Sequence, residues 1–210
     1  MKNLLLFLIP IILFTSCNSK IEKNIEDERT ERITSHKKTI DSINKSLNWT
    51  EIKSGLWKSK NGDLGLKTTE GTDVGIFIDK YISHFPDGKP LTEIVDLESF
   101  AFLGSSFYKD KNHIYTHYAM ADGGNFWIVE DADVKTFEIL GNCYAKDKNH
   151  IFGERAMKMD SVDYKTFKTC TDCACYAKDK NGFYFWDSKI DLKEIDDEET
   201  SKIIEKLKKL

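Results

Sequence analysis

The chain has 210 residues, 31% of them charged and 40% apolar, with a formal net charge of −4. Acidic and basic residues interleave, so no basic face is offered and nucleic acid is excluded as a partner. The part from residue 49 onward is long enough for one domain with a modest core.

Residues 1–17 read as a secretory signal. Lys2 precedes an apolar run from Leu4 to Phe14 that contains Pro10 and closes on Thr15-Ser16-Cys17. A membrane span needs about 20 apolar residues to cross roughly 30 Å of hydrocarbon, and this run is too short. Leu13-Phe14-Thr15-Ser16-Cys17 resembles the lipobox of bacterial lipoproteins. That resemblance implies a mature chain beginning at Cys17 and anchored through a lipid on its sulfur. Asn18 in place of Asp favours the outer membrane, on its periplasmic or surface face. Residues 18–48 are dense in charge, with Ile33, Ile40 and Leu47 recurring every seven residues and Ile43 between them. This pattern predicts a helical or partly disordered tether, or alternatively a short coiled-coil helix.

From residue 49 to 196 the chain repeats itself. Tyr108-Lys109-Asp110-Lys111-Asn112-His113, Ala145-Lys146-Asp147-Lys148-Asn149-His150 and Ala177-Lys178-Asp179-Lys180-Asn181-Gly182 are near-copies, and Ser59-Lys60-Asn61-Gly62 is a worn fourth. Asp at the bend, Asn, and then Gly or His is turn grammar flanked by β-formers, so each copy predicts a tight hairpin. The fourth place predicts a left-handed backbone, which His113 and His150 would adopt in place of glycine. Two columns stay bulky: Leu56, Phe107, Tyr144, Tyr176 and Leu64, Tyr115, Phe152, Tyr184. They predict the contact layer between neighbouring units.

A second element alternates with the hairpins: boxes at Asp96–Phe100, Asp133–Phe137, Asp163–Phe167 and Asp191–Ile195, each with Asp first and a large apolar residue fifth. Each predicts one capped helical turn whose last residue plugs the core. From box Asp to the next turn the spacing is 14, 14 and 16 residues, while from turn to box it is 37, 23, 16 and 12. One side of the unit is therefore fixed, and the other takes the insertions and the binding surface. Residues 197–210 carry acids first, lysines last and apolar Ile203, Leu207 and Leu210 at helical spacing, which predicts a capping helix. The fold expected is mainly β: four hairpin repeats with short helical turns, an N-terminal helical tether and a C-terminal capping helix. The K-D-K-N turn with its aromatic, alternating with the D-x-K-x-F box, resembles the DKNYY repeat family of bacterial envelope proteins over residues 55–195. The resemblance implies fold and compartment, and carries no catalytic residues.

Cys143 and Cys175 share a column, and Cys170 and Cys173 flank an insertion, so two disulfides with those pairings are the first expectation for an exported chain. Another pairing stays open, as does a soft-metal site built from all four sulfurs. The histidines do not converge, and Lys within the acidic turns speaks against calcium. No nucleophile with a partnered base, phosphate loop or spaced carboxylate pair stands out, so no catalytic residue and no cofactor are expected. Phe126 and Trp127, after Gly123-Gly124, and Trp186 are the aromatics expected at a binding surface. The functional expectation is a non-enzymatic interaction module on the membrane, bound to an envelope protein. The alternatives are a glycan or metal binder, or an immunity protein of the envelope.

Overall fold

The computed structural model describes residues 12–155 and 157–210. Most of the expected signal, residues 1–11, lies outside the described residues, as does the side chain of Cys17. Helix α1 (Ile12–Leu47) leads into four consecutive antiparallel sheets. No described helix is long and apolar enough to cross a membrane.

Unit 1 comprises β1 (Thr50–Lys53), β2 (Leu56–Lys58), β3 (Leu64–Gly71) and β4 (Phe77–Ile82), followed by the short helix α2 (Leu91–Ile94). Unit 2 comprises β5 (Ala101–Gly104), β6 (Phe107–Lys109), β7 (Ile114–Tyr118) and β8 (Asn125–Ile128). Unit 3 holds β9 (Glu138–Ile139), β10 (Tyr144–Lys146), β11 (Ile151–Gly153) and β12 (Met157–Lys158). Unit 4 holds β13 (Lys168–Thr169), β14 (Tyr176–Asp179), β15 (Gly182–Phe185) and β16 (Ser188–Lys189). A 3-10 turn at Leu192–Glu194 and helix α3 (Glu198–Lys208) close the chain.

Each unit is a four-stranded meander whose central pair is the expected hairpin. The outer strands escape a reading of the sequence because several are only two residues long, too short to show alternation. A meander has a geometric consequence. Its first and third turns fall at one end, and its second turn falls at the other, together with the exit to the next unit. We call these the loop end and the clasp end.

The core lies between units rather than within them. Leu56, Leu64 and Leu66 of unit 1 meet Phe100, Tyr115 and Phe126 of unit 2. Phe107 and Ile114 meet Phe137, Ala145 and Phe152, and Tyr144 and Ile151 meet Phe167 and Ala177. Ile204 and Leu207 of α3 cover Cys173, Tyr176 and Phe183 of the last unit. The bulky columns are therefore the contact layers.

The charged segment expected as a tether is helical along its described length, and its second half lies on unit 1. Ile33, Lys37, Ile40, Asn44 and Leu47 form a half-buried stripe, and the Asn44 side-chain amide donates to the Asp79 carbonyl at 2.8 Å. Trp49 stacks on Tyr81 at 4.3 Å between ring centroids. Only glycine fits beneath that stack. A Cβ at Gly65 would stand 2.9 Å from Tyr81 Cβ and 3.0 Å from the Trp49 ring.

Candidate binding face

The clasp end explains the repeated words. Asp110 is 1% exposed. Its Oδ1 accepts the backbone N–H groups of Asn112 and His113, both at 2.7 Å. Its Oδ2 accepts the N–H of Asp96 at 2.8 Å and the Tyr115 hydroxyl at 2.6 Å. Asp147 repeats this with Asn149, His150 and Asp133, and Asp179 with Asn181, Gly182, Asp163 and Tyr184. The turn aspartate thus holds its own bend with one oxygen and the preceding box with the other.

The box answers. Asp96 accepts Ser99 N–H and pairs with Lys111 at 2.6 Å, while Ser99 Oγ accepts the Lys111 N–H at 2.9 Å. Asp133, Thr136 and Lys148, and Asp163, Thr166 and Lys180, repeat the arrangement. The lysines hold the carboxyls of Asp96, Asp133 and Asp163 at about 2, with Ser or Thr donors assisting. Burial pushes the Asp147 carboxyl up, but the N–H donors of Asp133, Asn149 and His150 outweigh it and leave it below the usual range. Burial and the neighbouring Asp179 push the Tyr184 hydroxyl up to about 12. Asp96, Asp133, Asp147 and Asp163 thus stay ionised at neutral pH, and their hydrogen bonds serve structure. In unit 1, Ser59 Oγ replaces the carboxylate and accepts from Asn61 and Asp63, while the Leu47 carbonyl at the end of α1 takes the Lys60 N–H in place of a box.

The left-handed assignment of His113 and His150 is corrected here. Gly62 and Gly182 have positive φ (96° and 150°), but neither histidine does. The two N–H bonds to the aspartate stabilise the turn without a left-handed step, so the fourth place does not demand glycine.

At the loop end a different cluster forms. Trp186 sits in a two-residue turn at φ 53°, a conformation that bulky side chains avoid and that concentrates at functional sites. It is half-buried. Its Nε1 donates to Glu154 at 3.1 Å, and its carbonyl accepts the Tyr144 hydroxyl at 2.9 Å. Glu154 also accepts from Ser106 Oγ at 2.6 Å. The exposed Arg155 guanidinium lies 4.3 Å from the Trp186 ring centre and 5.2 Å from that of Tyr118. Units 2, 3 and 4 each contribute a side chain.

Beside this cluster Cys143 meets Cys175, and farther on Cys170 meets Cys173, each pair bonded with Cα atoms 5.1 Å apart. The four sulfurs divide into two pairs rather than converging on one centre. Cys143, Cys175 and Glu154 do lie close enough together to hold a metal ion were the bond reduced.

Phe126 is not a surface aromatic. It is fully buried and stacks on Tyr115 at 5.1 Å, because β8 begins at Asn125 and turns Phe126 inward. The neighbouring Trp127 points to the other face and is half-buried. The sequence reading missed Tyr118, Glu154 and Arg155, which the repeat alignment leaves unmarked. It also missed Ser99, Thr136 and Thr166, although a hydroxyl at the fourth place of three boxes was visible.

Stacked four-stranded meanders closed by a helix at either end define a mainly β repeat protein. Residues 124–189, from the residue before β8 to the end of β16, match the model of the DKNYY family, in agreement with the motif resemblance over that stretch. No curated protein and no solved structure matches the chain.

Proposed function

We propose that this protein is a lipid-anchored component of the bacterial envelope that acts as a non-enzymatic interaction module. A protein partner engages the loop end of units 2 to 4. The observation that carries this reading is Trp186, held in a left-handed turn at the edge of the unit 3 and 4 core, half-buried, with an exposed arginine stacked on its ring. Tryptophan, tyrosine and arginine are the residue types that anchor protein interfaces. A sugar needs a bare aromatic face, whereas here a guanidinium already covers Trp186. Cysteines at disulfide distance suit an exported chain, and the lipobox-like Leu13–Cys17 supplies the anchor.

Cross-linking the membrane-bound protein, then repeating it with Arg155→Ala and Trp186→Ala, tests the reading. One cross-linked protein should be recovered with the native chain and lost with both variants while circular dichroism stays unchanged. Equal recovery from all three chains, or binding to isolated envelope glycan alone, overturns it.

A further inference from the structure

Helix α1 has a direction on the body. At its end, Leu47 accepts from Lys60 at the clasp end of unit 1, and near its middle Arg29 pairs with Asp73 at the loop end. The lengths agree. The 18 residues between positions 29 and 47 span about 27 Å of helix, and the eight residues of β3 span about 26 Å of strand. The N-terminal part of α1 therefore leaves the body past the loop end.

Apolar side chains gather there. Phe77 at the start of β4 is 68% exposed, Ile25 on α1 60%, and Met120 in the loop between β7 and β8 49%. Ile25 and Val74 line one shallow pocket together with the charged Glu22, Glu26, Arg29 and Asp73, and the tips of units 1 and 2 are tied together by Gly71 N–H to the Ala121 carbonyl. Exposed apolar side chains on adjoining tips of one end mark an interaction surface.

We infer that this end of units 1 and 2 faces and contacts the lipid surface that holds the protein. The inference rests on the lipid-anchor reading above. Position 17 is eight residues, about 12 Å of helix, before Ile25. The polar layer of a bilayer is roughly 5–8 Å deep on each side, so α1 must lean toward the body side by roughly 50–65° from the membrane normal to bring Ile25, and with it Val74, Phe77 and Met120, to the interface. The clasp end is then held away from the membrane.

The test uses the full chain, expressed in bacteria and reconstituted into phosphatidylethanolamine–phosphatidylglycerol vesicles containing lipids brominated near the headgroup. Phe77→Trp places a reporter at the loop end, Met120→Trp a second, and Asn149→Trp a third at the clasp end. After subtraction of the unsubstituted chain's emission, bromolipid should quench the first two roughly twofold and leave the third unchanged. The intact mass of the same preparation reports whether Cys17 carries lipid. A chain with no lipid on Cys17 sinks the anchor reading and this inference together. A lipidated chain quenched equally at both ends, or more at the clasp end, overturns this inference alone. Tips protected in whole envelopes yet unquenched in pure vesicles also overturn it, and assign the surface to a protein.

Discussion

At the scale of single residues, the turn aspartates matter more than their exposed neighbours. Asp147 is 2% exposed and accepts three backbone N–H groups. Asp147→Ala strands those donors and should cost about 3 kcal/mol, against about half that for Asp147→Asn, which keeps an acceptor. Urea denaturation of the two variants measures the difference. Asp96, Asp133 and Asp163 make a second prediction, since their carboxyls stand at about 2 when folded, below the ordinary value of 3.8. A depressed folded pKa contributes stability above the unfolded value, and that contribution is lost as pH falls through the folded one. Melting temperature should therefore hold between pH 6 and about 4 and drop between about 4 and 2. Calorimetry across that range checks it, and Lys148→Met should flatten the share that comes from Asp133.

At the scale of elements, α1 is attached through Asn44, its half-buried stripe and the Leu47 carbonyl, and just past its end the Trp49–Tyr81 stack over Gly65 fixes where the chain enters unit 1. Gly65→Ala forces a methyl group into a space already occupied by both rings. Residues 29–47 should then lose hydrogen-exchange protection while units 2 to 4 keep theirs. Protection retained along α1 would mean that the helix docks through Asn44 and its half-buried stripe alone. The boxes behave as the spacing implies. Asp191 caps its 3-10 turn as the earlier boxes do theirs, but with no hairpin after it Ile195 packs with the α3 cluster instead.

At the scale of the whole molecule, the stack is held by shared cores, the polar clasps and one covalent tie between units. The bond from Cys143 to Cys175 closes 32 residues and joins unit 3 to unit 4, whereas that from Cys170 to Cys173 closes only three. Loop-closure entropy gives about 4 kcal/mol for the first and about 2 for the second. Cys143→Ser with Cys175→Ser should accordingly lower the melting temperature more than Cys170→Ser with Cys173→Ser, measured by circular dichroism without reductant. Much of this architecture was legible in the sequence. Self-similarity showed the number of units, the bulky columns showed which residues meet, and the narrow range of spacing from box to turn showed which side was rigid. These are properties of local chemistry and of repetition, and one chain carries them openly. The tertiary structure alone revealed why that spacing varies so little, 14, 14 and 16 residues. A meander returns each chain exit to the end where the turn lies, so that Asp133 and Asp147, 14 residues apart, share hydrogen bonds. It alone buried Phe126, and it alone set Arg155 between Tyr118 and Trp186. Side chains from three units meet there only after the units have stacked, and no pattern within one unit records that meeting.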